Sequence, residues 1–155
     1  MHCGVIQGKV EDLVLAVKFS INKDLPLVSS LANCSKLIYD YFDNTSWAGF
    51  YITDDKNNLY LGPFQGDTAT MYIEYGMGVC GTCLVDKKTI IVPNVHEFPG
   101  HIACSSLSNS EIVIPIIKND NVVAVIDLDS NCYNNYNDDS AKVLEEVAVI
   151  LSDLF

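Results

Sequence analysis

Ile112-Val113-Ile114-Pro115-Ile116-Ile117-Lys118-Asn119-Asp120-Asn121-Val122-Val123-Ala124-Val125-Ile126-Asp127-Leu128 sets two β-branched, apolar runs on either side of a short Asn/Asp cluster. Branched side chains fit a pleated sheet, and Asn and Asp tolerate the left-handed backbone of a tight turn, so the stretch reads as an antiparallel hairpin. A three-residue loop, Asn119–Asn121, pairs Lys118 with Val122 and brings Glu111 opposite Asp129. A two-residue loop turns Glu111 to the other face, because strand side chains alternate. Asp127 and Asp129 share a face under either loop.

Outward from this hairpin, other short strands are expected. Trp47–Ile52 and Leu59–Leu61 flank the turn Asp54-Asp55-Lys56-Asn57-Asn58, Met71, Ile73 and Tyr75 alternate with more polar neighbours, and Thr89–Val92 is a further short run. Helices bracket the strands. Val10, Leu13, Val14, Val17 and Ile21 have helical spacing up to Asn22–Pro26. Leu27, Leu31, Cys34, Ile38 and Phe42 repeat that spacing up to Asp43-Asn44, and Val143, Leu144, Val147, Ile150, Leu151 and Leu154 form a last helix with Asp138 and Asp139 near its start. Two helices, a run of mostly hairpin-connected strands and a closing helix predict an α+β fold, helices on an antiparallel sheet, over a single domain spanning residues 1–155. The irregular stretch Val92–Ser110 is long for a connection inside a domain, which marks it as functional.

Composition narrows the function. Of 155 residues, 49% are hydrophobic and 19% charged, which excludes a disordered chain. Twenty acidic against nine basic residues give a net charge of −11, which repels nucleic acid and anionic membranes. The start Met-His-Cys-Gly-Val-Ile-Gln-Gly-Lys lacks the basic flank and apolar run of a secretory signal, so a cytoplasmic location is expected. In that setting the six cysteines, Cys3, Cys34, Cys80, Cys83, Cys104 and Cys132, point to redox chemistry or core filling rather than a disulfide framework.

Two cysteine readings compete on spacing. Cys80, Cys83, His96 and His101 match the Cys-x2-Cys-x12-His-x4-His interval of a zinc finger. Pro99-Gly100 breaks the helix such a finger needs before its second histidine, and the surroundings are acidic, so no metal is expected and both histidines read as loop residues. Cys80-Gly81-Thr82-Cys83 also resembles a redox pair at a helix N-terminus, where the dipole lowers a thiol pKa, but without the βαβ setting of thioredoxin. Glu111, Asp127 and Asp129, gathered at one end of a sheet, repel each other and hold a proton available.

Trp47-Ala-Gly-Phe-Tyr51, Leu61-Gly-Pro-Phe-Gln-Gly66, Gly78-Val-Cys-Gly-Thr82, Pro99-Gly-His-Ile-Ala-Cys104, Ser108-Asn-Ser-Glu-Ile-Val113 and Ile126-Asp-Leu-Asp-Ser130 together resemble the free methionine-(R)-sulfoxide reductases, which are single GAF-domain enzymes. The resemblance implies a GAF fold and thiol-dependent reduction of free methionine-(R)-sulfoxide, with no bound cofactor and electrons from thioredoxin and NADPH. It implies a homodimer. Cys104 then matches the attacking thiol and Cys80 its disulfide partner, although the reverse order is also open. Glu111, Asp127 and Asp129 match the acids of the substrate site, Asp129 or Glu111 being the proton donor, and Trp47 and Tyr51 match its aromatic wall. The chain departs from the family pattern at Thr70, where many relatives have a resolving cysteine, at Ser105, where an aspartate is frequent, and at Cys83, usually alanine, which becomes a reserve resolving thiol. The rival class is a GAF sensor that binds a small molecule without turning it over.

Overall fold

The computed structural model describes residues 10–102 and 106–155. The order is α1 (Val10–Ser20), α2 (Leu27–Tyr41), β1 (Thr45–Thr53), β2 (Leu59–Gln65), β3 (Tyr72–Ile73), α3 (Gly78–Asp86), β4 (Ile90–Val92), a 3-10 turn (Val95–Glu97), β5 (Ser110–Lys118), β6 (Asn121–Ser130) and α4 (Asp138–Ser152). The strands form a six-stranded sheet, β3-β2-β1-β6-β5-β4. Every pairing in it is antiparallel. The expected α+β class holds, as do the first two helices and the last, but α3 interrupts the expected run of strands between β3 and β4, which lie at opposite edges of the sheet. The expected strand around Met71–Tyr75 shrinks to β3, and the irregular stretch contains the 3-10 turn.

Strand alternation divides the interior into two layers. Ala48, Phe50, Ile112, Ile114, Ile116, Ala124, Ile126 and Leu128 face α1, α2 and α4, and meet Leu13, Val17, Leu31, Cys34, Ile38, Leu144 and Val147 in the larger core. The opposite face carries Trp47, Tyr51, Val113 and Val125, packed with Val79, Cys80, Cys83 and Leu84 of α3. Asn137 starts α4 with a capping box, its side chain accepting from the Ser140 N–H while the Ser140 hydroxyl accepts from the Asn137 N–H.

The β5–β6 turn differs from the three-residue expectation. Lys118 pairs with Asn121, leaving only Asn119 and Asp120 in the loop, with φ of 50° and 63°. Positive φ at both central residues is the tight turn whose twist suits a hairpin. Such a loop alone would put Glu111 opposite Leu128. Yet Ile117 pairs with Val122 and Ile116 with Ala124, so one extra residue, Val123, bulges from β6. The bulge restores the register, and Glu111 faces Asp129. It also explains why Val122 lies in the α3-side layer together with Val125.

Candidate active site

The three acids arrive on the α3 face through the pairing of the central strands. Glu111 pairs with Asp129 and Val113 with Asp127 across β5 and β6. Across β6 and β1, Trp47 pairs with Asp129 and Gly49 with Asp127. Glu111, Asp127 and Asp129 are 4%, 1% and 2% exposed. Carboxyl groups at such burial without a cationic partner favour the protonated form. Burial, with Asp129 next, pushes Glu111 well above the usual carboxylate range. Burial followed by Glu111 raises Asp127, and burial followed by Asp127 raises Asp129. Asp127 Oδ1 and Asp129 Oδ2 have no hydrogen-bond partner among the described residues.

Cys80 sits near the N-terminus of α3, as the redox-pair reading expects, and its Sγ lies within 4.8 Å of donor atoms of Glu111 and Asp127. The dipole does not win there. Burial, then the Asp127 and Glu111 charges, raise the Cys80 thiol well above its ordinary value. Cys83, one turn further, is fully buried, and its thiol donates to the Val113 carbonyl at 3.8 Å. Gly78 has φ of 65° at the start of α3, and a Cβ there would stand 3.1 Å from the Ile102 side chain. Ile102 and Cys80 line one small cavity. The cavity left between Ile73, Cys80, Ile102, Glu111 and Asp127 measures about 10 Å³, room for about one water.

The aromatic wall is a stack. Trp47 stacks with Phe64, at 5.2 Å and 18°, and with Tyr51, at 6.0 Å and 26°. The indole N–H donates to the Asp67 carbonyl at 3.1 Å, and the Tyr51 hydroxyl to the Thr70 carbonyl at 2.9 Å. Thr70 therefore borders this wall. Gly49 makes the stack possible, since a Cβ there would lie 2.4 Å from Phe64 Cβ and 2.7 Å from the indole.

Sequence reasoning missed Phe64 as part of the wall and misjudged His101. His101 is not a bystander of the loop: its Nε2 stands 3.2 Å from Glu111 Oε2, and its ring lies within 4.8 Å of donor atoms of both Glu111 and Asp129. His96 instead contacts the Asn109 side chain at 2.9 Å. The finger spacing is therefore not gathered into one set: Cys80 and His101 face the acids, Cys83 faces β5, and His96 faces Asn109. The sets that do converge, Cys80–Glu111–Asp127 and His101–Glu111–Asp129, offer ligand atoms, but their unpaired carboxyl oxygens equally suit an ammonium group. Cys34, Cys80 and Cys83 are free thiols, whereas Cys132 is disulfide-bonded, a pairing that the redox and core-filling readings of the cysteines did not name. Cys104 and Ser105 lie outside the described residues, as does Cys3.

A curled antiparallel sheet with a buried polar site on one face and helices on the other is the architecture of GAF domains, and the GAF domain family matches residues 29–155. A free methionine-R-sulfoxide reductase of Saccharomyces cerevisiae is 40% identical over 150 residues, 92% of this chain and 83% of the relative. The Escherichia coli free methionine-R-sulfoxide reductase is 40% identical over 124 residues, 80% of this chain and 74% of the relative. The fRMsr of Staphylococcus aureus, solved in complex with substrate, superposes with a TM-score of 0.89 at 34% identity, covering 99% of both chains. The chain belongs to the GAF-domain free methionine-R-sulfoxide reductase family.

Proposed function

We propose that the protein reduces free methionine-(R)-sulfoxide to methionine. The observation that carries this reading is the buried Cys80 thiol beside Glu111 and Asp127, with Asp129 facing Glu111 and paired across the sheet with Trp47 of the aromatic stack. Acids that lack a cation are prepared for an ammonium, which a free amino acid presents next to its side chain and a residue inside a peptide does not. Asp127, with Glu111, takes the ammonium, while Trp47 and Tyr51 pack against the methyl-sulfoxide end.

Cys104 attacks the sulfoxide sulfur, and a protonated Glu111 or Asp129 gives its proton to the oxygen. The substrate sulfur gains two electrons and the Cys104 sulfur loses two; oxygen passes to Cys104 as a sulfenic acid. Cys80 then displaces water from the sulfenic acid to give a disulfide, and a thioredoxin-type dithiol reopens it with electrons from NADPH. The raised Cys80 pKa supports the resolving role, since a thiol held protonated is a weak first nucleophile. Asp127 is in contact with Cys80, and the proton that Cys80 loses leaves with the sulfenic oxygen as water. The core position of Cys83 supports Cys80 over the reserve thiol. The chain acts in the cytoplasm as a homodimer without a bound cofactor or metal; sedimentation velocity tests the dimer.

The deciding experiment incubates the protein with free methionine-(R)-sulfoxide, thioredoxin, thioredoxin reductase and NADPH. NADPH oxidation above a control lacking the protein, absent with the (S)-epimer, is expected. No oxidation above that control, together with saturable binding of the sulfoxide, would leave the sensor reading standing instead.

A further inference from the structure

We propose that His101 is a positioning residue that acts through Glu111, carrying protons between solvent and the buried acid cluster; this rests on the function proposed above. Each first half-turnover converts a thiol and a sulfoxide into a sulfenic acid and a sulfide. The proton given to the sulfoxide oxygen must be replaced on the donor, and the proton of the attacking thiol must leave. The half-turnover is neutral in protons overall, so the proton lost by the thiol replaces the one the donor gives, and His101 links the two transfers by way of solvent.

The carboxyl groups themselves are almost sealed. The Glu111 side chain is 5% exposed, and Asp127, Asp129 and Cys80 are buried with it. Among the described residues, His101 is the titratable side chain that both touches the cluster and reaches solvent, with 12% of its side chain exposed. The groups facing it are Glu111 from β5, Asp127 and Asp129 from β6, and, beyond Glu111, Cys80 from α3. Burial lowers the His101 pKa, partly offset by Asp127, while Glu111 is raised. The resting pair is therefore neutral, and the relay uses the tautomer in which Nε2–H donates to Glu111 and Nδ1 is the ring's acceptor. Once Glu111 has released its proton, Nε2–H passes to the new carboxylate while Nδ1 takes a proton from solvent, and the thiol's proton leaving by the reverse route restores the ring. A fixed interaction at 3.2 Å permits this without rearrangement.

The test uses the full chain, reduced beforehand, and follows the single release of methionine so that recycling does not mask the step. His101→Gln retains a hydrogen-bonding group but carries no proton. It is expected to bind substrate within about threefold of wild type and to release methionine about tenfold or more slowly, in the range of lost acid–base assistance. Its rate loses the wild-type dependence on pH near the histidine range. Added imidazole restores the rate of His101→Ala in proportion to its concentration. A wild-type rate in His101→Gln overturns the proposal. So does a slow variant that imidazole does not rescue and whose substrate affinity falls in step, which marks a packing role. Thermal melts of both variants establish that they fold. If wild-type protein itself releases no methionine, the proposed function fails and takes this proposal with it, a result distinct from failure confined to the variants.

Discussion

Glu111 and Asp129 stand directly opposite each other on β5 and β6 although the turn joining the strands is too short by one residue to align them. Like charges in facing positions destabilise a sheet, and here both are buried as well. The protein tolerates the pair by keeping it protonated, at a cost in stability when ionisation is forced.

That cost has a sign. Glu111, Asp127 and Asp129 are raised in the folded state, so above about pH 4 the unfolded chain has released protons that the folded one retains. Their contribution is fully present below that pH and is lost as pH rises through the folded values. Each differing proton lowers stability by about 1.4 kcal/mol per pH unit in that window. Ligand-free Asp127→Asn and Glu111→Gln should therefore melt higher than wild type near neutral pH, while losing affinity for the sulfoxide. Calorimetric melts across pH check the first outcome and titration the second; a lower melting temperature in both variants at neutral pH would refute it.

The thiol assignment is tested by counting methionine. Cys104→Ser should release none, even from reduced protein without recycling. Cys80→Ser should release one per chain and then recycle poorly with thioredoxin. In wild type oxidised by substrate, peptide mapping should find Cys80 joined to Cys104. A dominant Cys83–Cys104 or Cys104–Cys132 linkage, with Cys80→Ser recycling normally, would transfer the resolving role.

The aromatic stack predicts a binding defect more than a chemical one. Phe64→Leu removes one ring of the Trp47 stack, and such ring pairs contribute about 0.5–1.5 kcal/mol. KM should rise several-fold with kcat little altered. A fall in kcat at constant KM would assign Phe64 a different part.

Gly49→Ala pushes a methyl group into Phe64 and the indole, with no flexible side chain end to yield. Overpacking of this kind costs about 1–3 kcal/mol. The variant should melt several degrees lower and bind the sulfoxide more weakly, whereas Gly100→Ala, where a Cβ meets nothing within 4 Å, serves as the comparison despite its φ of 73°.

Alternation and helical spacing were enough to read the first two helices and the last, the hairpin and the common face of Asp127 and Asp129. Val123 was not legible as a bulge, because Val122-Val123-Ala124-Val125 is apolar throughout and offers no polar residue to mark the slip. The role of His101 was hidden for another reason: a histidine after Pro99-Gly100 belongs to no periodic element, and only the approach of the loop to β5 brings it to Glu111. Thiol spacing misled in the opposite direction, since Cys83 keeps the interval of a redox pair while the helix turns it into the core.

The bulge at Val123 gives the hairpin something like a reading frame of two. Removing a single codon between Asn121 and Asp127 would turn Val122 or the aspartates across the sheet, placing carboxyl groups against Ile112 and Ile114 and the helices behind them. Length changes in this hairpin must therefore come in compensating pairs, one residue in the turn exchanged for one in the strand. Descendants of this chain are free to vary Asn119-Asp120 in composition, but in length only if Val123 changes with it.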